Sequence, residues 1–447
     1  MNPSHYFLSL GHRRATQKLS RLVFDQQIRD QSQLPDLYVI GFQLSLFSCG
    51  VFPLSFSLEL AGLHLTFPSL TGAAIHDRHQ SMIRAFSSGL RTIKGDSRPS
   101  NQYDTTDLDA LTYNLLANPT HGGLGLLVYA RNDTLFRNVI SVKTAETSCG
   151  FLNLMNNKGA VGVRLTIQPS DIRVPPPKNP SKELVLTFVN AHLAAHDAGI
   201  LERNRNYQTI VNRLLFENKH TIYDTSHLFF MGDLNYRISL TPLLTSNLNP
   251  MSKEILAQAI QEDRHSCLFP EHDTLSHQHS ARNVLVGLRE APITFKPTYK
   301  YKLDAGNQFV NFDHRLPGWT DRILVGSWDD DERSSSSLSS GKSSAQILAY
   351  QSVPEFDESD HKPVFAVIDL PRWTEDRANP SFLHDRPHIV IDARWKEKKV
   401  MGMILDKLCG LVLLLAVLVG FGDIPFGLIN IVLISLFGWK WSHWEWA

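Results

Sequence analysis

A chain of 447 residues in which 44 Lys and Arg are matched by 44 Asp and Glu carries no net field, which excludes capture of nucleic acid or of an acidic partner by overall charge. With 43% apolar and 20% charged residues it has the make-up of a folded chain, long enough for one large domain or two. Its cysteines, Cys49, Cys149, Cys267 and Cys409, show no paired spacing, which speaks against a disulfide framework or a zinc site and for a reducing compartment.

The N-terminal "MNPSHYFLSLGHRR" lacks the pattern of a signal peptide, because His and Arg follow a short apolar stretch with no small-residue cleavage site. Apolar runs then predict strands at "DLYVIGF", "LGLLVYA", "AVGVRLTI", "ELVLTFVN", "HLFFM", "RILVGSW", "AQILAYQSV" and "VFAVIDL". Helical spacing predicts helices at "RNRNYQTIVNRLLFENK" and "SKEILAQAIQED". Many strands with few helices point to an α/β fold of packed mixed sheets with helices outside. Polar inserts interrupt it: the Pro-rich 168–183, the His-rich 270–282, expected as a solvated loop, and the low-complexity 329–345, expected to be disordered.

From 408 to 438 the chain is almost wholly apolar, with Asp423 its one charge, and a membrane span needs about 20 apolar residues. "RWKEKKV" precedes it and Trp439, Trp441, Trp444 and Trp446 follow, as a membrane anchor requires. The expected organisation is a domain over 1–372, a linker with a basic juxtamembrane stretch over 373–407, a single-span or hairpin anchor over 408–438, and a Trp-rich tail over 439–447.

The chemistry sits at strand ends. "HLFFM" stops at Gly232 and is followed by Asp233, Asn235 and Arg237. "LTFVNAHLAAH" delivers Asn190, His192 and His196, "RLPGWTDRILV" delivers Thr320, Asp321 and Arg322, and "DESDHKPVFAVI" delivers Asp360, His361 and Lys362. One His or Asp at a strand end is ordinarily structural, but their recurrence points to a joint site. Carboxylates to activate water, a carboxylate-held imidazole and surrounding cations are what phosphoryl transfer needs. Arg237 and Arg322 also read as plain ion-pairing residues, Tyr236 and Tyr301 as packing, and Asn190 as a turn cap.

On "LPDLYVIGFQ", "NNKGAVGVRL", "NAHLAAH…RNRNY", "FFMGDLNYRI", "ITFKPTYKY", "RLPGWTDRIL" and "SDHKPV", met in this order, the chain resembles the inositol polyphosphate 5-phosphatases of the endonuclease/exonuclease/phosphatase superfamily. The resemblance implies a DNase I-like sandwich of two packed sheets, Mg²⁺ as cofactor and metal-assisted attack of water. It implies that Asp233 activates the water, that Asn235 positions it, and that His361, held by Asp321, binds the scissile phosphate together with His192. It implies Asp360 as a metal ligand, Asn157, Lys158, Arg203, Asn204 and Arg237 as the lining of the phosphate pocket, and Tyr299, Lys300 and Arg315 near the 4-phosphate. With the apolar tail, it implies a phosphoinositide lipid, such as phosphatidylinositol 4,5-bisphosphate, at a cytoplasmic membrane face, as in fungal tail-anchored members of the endoplasmic reticulum. A nuclease of the same superfold is the less favoured reading, and no nucleic-acid partner is expected.

The pattern departs in places. The family has metal-ligating Asn and Glu on its first strands, where this chain offers Ser9 and, after Gln43, Leu44. Leucine cannot ligate Mg²⁺. Segment 44–75 is atypical, and intron-derived sequence, a binding-only pseudoenzyme or substitution by Glu59 would each account for it; the abrupt change of character at Gln43 favours the first. Asp313 stands where many members have Lys, and Thr320 replaces a common Cys, a change expected to be harmless.

Overall fold

A computed structural model describes residues 4–10, 35–43, 113–168, 183–241, 243, 250–264, 271–303, 305, 307–312, 315–330, 345–356, 359–370, 382–418 and a few positions between 428 and 436. Leu44, Glu59, Asp313 and the inserts at 169–182 and 331–344 lie outside these residues.

The strands are β1 (Ser4–Leu10), β2 (Leu37–Gln43), β3 (Tyr113–Ala117), β4 (Thr120–His121), β5 (Leu124–Arg131), β6 (Val139–Ser148), β7 (Gly159–Ile167), β8 (Leu184–His192), β9 (His227–Asp233), β10 (Asp321–Ser327), β11 (Gln346–Ser352) and β12 (Val364–Asp369). The helices are α1 (Ile200–Arg213), α2 (Lys253–Gln261), α3 (Thr274–Ser280) and α4 (Trp395–Leu418). One sheet runs β11-β12-β1-β2-β5-β3 with β4 beside β5, and the other runs β10-β9-β8-β7-β6. Both are mixed: β1–β2 and β8–β9 are parallel and the other pairs antiparallel.

The two sheets face one another across a core in which Val39, Leu126 and Val128 of one meet Val163, Phe188, Phe229 and Met231 of the other. The opposite face of β8 and β9 buries Val189, Leu228 and Phe230 under Tyr207, Ile210 and Leu214 from α1 and its end. Side chains alternate along a strand, so a strand covered on both faces must be apolar at every position. That explains the unbroken "LFFM" run. The edge strand β6 was not expected, because its exposed positions break the apolar pattern.

Two expected regions differ. Residues 270–282 hold helix α3, not a loop: Asp273 caps it by accepting the Ser276 N–H at 2.8 Å, and a capped turn needs little apolar content. The expected linker is also structured where described. Asp392 accepts from Arg213 at 2.7 Å, Lys399 pairs with Glu146 at 2.5 Å, and α4 begins inside the basic stretch. Of the membrane segment expected at 408–438, residues 408–418 continue this docked helix and most of the rest, like the Trp-rich tail at 439–447, lies outside the described residues; no described helix is long and apolar enough to cross a membrane.

Candidate active site

Sheet register builds the site. On the second sheet, Asp321 opens β10 directly opposite Asp233 at the end of β9, and His192 at the end of β8 stands opposite the same Asp233. Gly159, which follows Lys158, pairs with His192. Loops far apart in sequence therefore empty onto one edge. Gly232 has φ +126°, and a Cβ there would come within 2.1 Å of the Ala191 carbonyl, so only glycine lets β9 run this close to β8 before presenting Asp233.

Asp233 is buried and its two oxygens are held from one residue: the Asn235 N–H donates to Oδ1 at 2.9 Å and Asn235 Nδ2 to Oδ2 at 2.9 Å. Asn235 adopts φ 57°, which Asn tolerates better than most residues. Burial raises the Asp233 pKa above the usual carboxylate range and Asp321 adds to this, while His361, Lys158 and Arg237 pull against it.

Across from it, His361 Nδ1 lies 2.9 Å from Asp321 Oδ2. That same carboxylate oxygen accepts from Thr298 Oγ1 at 2.7 Å and from Thr320 Oγ1 at 2.9 Å. Burial opposes charge on the imidazole, yet Asp321, with Asp360 and Asp233, holds its pKa up at about 10. His192 Nε2 faces Asp233 Oδ2 at 3.4 Å and is within hydrogen-bonding distance of Lys158 Nζ. Lys158 is 8% exposed, and burial lowers its pKa to about 8 although Asp233 draws it upward.

The cationic side continues through Tyr299. Its ring lies 4.5 Å from the His361 ring and 4.4 Å from the Arg237 guanidinium, and Lys300 Nζ stands 5.6 Å from it. Tyr299 is thus a buried wedge between His361 and Arg237. Lys300 lies 3.4 Å from Asp360 Oδ2, both side chains being over a third exposed. Arg315 is half-buried on the loop that leads to Gly318, whose backbone pairs with Tyr299.

Other expected pocket residues face elsewhere. Arg203 is fully buried: Nη1 donates to the carbonyls of Ala194 (3.3 Å) and His196 (2.6 Å), and the guanidinium covers the Tyr236 ring. Asn204 accepts from the Tyr236 hydroxyl at 2.6 Å and donates to Gln278 at 2.7 Å. Both residues thus brace α1 and its neighbours. Asn157 turns its carbonyl oxygen to the Phe151 N–H at 3.2 Å, inside its own loop.

Several simpler readings are also decided. Arg322 is buried between Asp273 (3.1 Å) and Glu290 (2.5 Å) as an ion-pairing residue, and Tyr301 packs on Phe309. Asn190 does not cap a turn; its amide bridges the two sheets, donating to Phe42 O at 3.2 Å and Gly125 O at 2.9 Å. Thr320 is not idle, because its hydroxyl orients Asp321. Thr298 was missed, although it sits inside "KPTYKY", where a hydroxyl beside a tyrosine was the available signal.

Among the described residues, no three Asp, Glu, His or Cys side chains come close enough to cage a metal. Mg²⁺ seldom needs such a cage, since it keeps several waters and takes one or two carboxylates plus substrate phosphate. The half-buried Asp360 fits that water-rich role. Ser9, on β1, pairs with Gly41, which puts it at the same sheet end as Gln43.

The model of endonuclease/exonuclease/phosphatase family 2 matches residues 10–367. The chain belongs to this family. It is 28% identical over 263 residues to inositol-1,4,5-trisphosphate 5-phosphatase 1 of Schizosaccharomyces pombe, covering 59% of this chain and 20% of that protein. It is 32% identical over 260 residues to the type II inositol 1,4,5-trisphosphate 5-phosphatase of Mus musculus, covering 56% and 22%. The chain therefore spans about a fifth of the length of these curated relatives. Within the family, the resemblance to inositol polyphosphate 5-phosphatases holds. The fold matches that of the inositol polyphosphate 5-phosphatase domain of SPsynaptojanin, crystallised with inositol (1,4)-bisphosphate and a calcium ion, at TM-score 0.57 and 24% identity over 93% of each chain. It also matches Cimex nitrophorin in a ferrous NO complex, at TM-score 0.54 and 18% identity over 83% of this chain and 99% of that one, so fold alone does not decide the chemistry.

Proposed function

We propose that this family member is a phosphoric monoester hydrolase that removes the 5-phosphate of phosphatidylinositol 4,5-bisphosphate or a related phosphoinositide. The observation that carries this reading is the convergence of Asp233, Asp321, His361, His192 and Lys158 on one sheet edge. Asp233, with its raised pKa, takes a proton from the attacking water, and Asn235 holds the carboxylate in line. Charge on the phosphoryl oxygens is met by the His361 imidazolium, by Lys158 and by Arg237, whose Nε and Nη1 are buried with no partner among the described residues. Lys300 reaches the neighbouring 4-phosphate. Asp360 would hold Mg²⁺, which when bound polarises the phosphate.

Exposed apolar side chains support a lipid substrate. Phe151 (49% exposed) and Leu152 (64%) stand on the loop that carries Lys158, and Leu201 (68%) near the start of α1. Helix α4 turns Met401, Ile404, Leu408 and Leu411 outward. The domain works at a cytoplasmic membrane face, that of the endoplasmic reticulum, held there by the apolar stretch from 408 onward as in fungal tail-anchored members.

The test is phosphate release by the purified chain from phosphatidylinositol 4,5-bisphosphate micelles and from soluble inositol 1,4,5-trisphosphate, with Mg²⁺ and with chelator. Mg²⁺-dependent release, faster on micelles, is expected. A second reading, a phosphoinositide-binding module without turnover, is favoured by Leu44, which stands where the family has a metal-ligating Glu. Lipid binding with no release would establish it.

A further inference from the structure

Lys158 ends the loop 149–158, which joins β6 to β7. From within the domain the loop is tied by Cys149 N–H to Lys158 O (2.9 Å) and Gly150 N–H to Met155 O (3.1 Å). The Asn156 side chain contacts Ser148 Oγ, itself 2.9 Å from His121 Nε2. These ties leave the Asn156 backbone N–H without an acceptor inside the loop.

Helix α4 supplies that acceptor. Asp406 is buried, and its carboxylate accepts the Asn156 N–H at 3.2 and 3.4 Å. One turn earlier, Gly402 lies flat on the loop: a Cβ at this position would come 2.1 Å from the Leu154 carbonyl oxygen. The head of the helix is pinned as well. Arg213 donates to Asn153 O at 2.8 Å and to Asp392 at 2.7 Å, and Asp392 also takes Lys398 at 2.6 Å. The face of α4 turned to the domain carries Gly402, Asp406 and Gly410, all buried, while Met401, Ile404, Leu408 and Leu411 point away. The closest contacts of α4 to the loop are thus made by a glycine and a buried acid, not by large apolar side chains. Both contacts fall on the 149–158 loop, and Lys399 adds an ion pair to Glu146 of β6.

We propose that Asp406 and Gly402 are positioning residues for the reaction: they clamp the 149–158 loop from outside, so that Lys158, two residues beyond Asn156, is presented to His192 and the bound phosphate. The C-terminal helix is then a working part of the catalytic domain, and the segment that leads to the apolar tail is rigidly joined to the phosphate-binding loop. The inference rests on the reading of Lys158 as a phosphate-binding residue given above.

The experiment uses the full chain with Asp406→Ala, Asp406→Asn and Gly402→Ala, soluble inositol 1,4,5-trisphosphate as substrate, and amide hydrogen exchange as the second readout. Asp406→Ala removes the acceptor and raises KM about tenfold with a smaller change in kcat. Asp406→Asn keeps an acceptor oxygen and restores KM. Exchange in 151–158 quickens in Asp406→Ala and Gly402→Ala, while exchange in β9 is unchanged. Should Asp406→Ala fail to fold, Gly402→Ala carries the same expectation. Unchanged exchange in 151–158, or a KM for Asp406→Ala equal to that of the parent, overturns the proposal. A parent chain without turnover would instead sink the phosphatase reading, and the exchange data would still decide the clamp.

Discussion

The lysine that faces His192 offers a sharp test of the site's electrostatics. Lys158 is 8% exposed, and burial brings its pKa down to about 8 against the pull of Asp233. A group with that pKa is about nine-tenths charged at pH 7 and about one-tenth charged at pH 9. If the ammonium binds the phosphate, kcat/KM, which reports the free enzyme, falls about tenfold across that interval. Lys158→Arg keeps a cation that stays charged throughout, so its profile is flat over the same range even if its absolute rate is lower. Stability runs the other way. The folded chain binds fewer protons than the unfolded chain between about pH 8 and the ordinary lysine value, so the cost of the buried charge is present in full below about 8 and disappears as pH rises through that window. The assay is a pH profile of initial rates on soluble inositol 1,4,5-trisphosphate, with thermal unfolding alongside. A parent profile flat to pH 9, or the same fall in Lys158→Arg, would refute the assignment.

Asp233→Asn is expected to cut turnover by about 10²–10⁴ while leaving thermal stability equal or higher at neutral pH. Burial raises the pKa of this acid, so its charged form costs stability as pH rises above the ordinary carboxylate value, and the amide removes that cost; a drop in melting temperature would contradict this. Arg322→Met strands the carboxylates of Asp273 and Glu290, and chemical denaturation should register a loss of about 3–5 kcal/mol. Phe151→Ser with Leu152→Ser should lower kcat/KM on lipid vesicles and spare the soluble substrate, and an equal loss on both would argue against a membrane-facing role.

Much of the fold was legible because its central strands are buried on both faces. The runs at 228–231 and 323–325 are continuous in apolar residues, and they lie in β9 and β10. The misses have the converse cause. At β6, the exposed Lys143 and Thr144 and the half-buried Glu146 blur the strand period. At α3, an N-cap sustains a polar helix that composition reads as loop. For Arg203 and Asn204, the rotation of α1 against the second sheet decides their partners, Ala194, His196, Tyr236 and Gln278. Helix rotation is set by packing partners, which no local pattern reveals.

By itself, the order of residues determined which chemical groups stand at the ends of which strands: Asp233 and Asn235 after Gly232, His192 after "FVNA", Asp321 before "RILV", and His361 before "PVFAV". Only the tertiary structure decided that they meet. A one-residue slip between β9 and β10 would send Asp321 to the other face of the sheet, and that register is set by the buried side chains along both strands. The same holds for the Asn156 N–H and Asp406, 250 residues apart. Local propensity acts over a few neighbours, whereas contacts at such separations exist only once the core has closed around them.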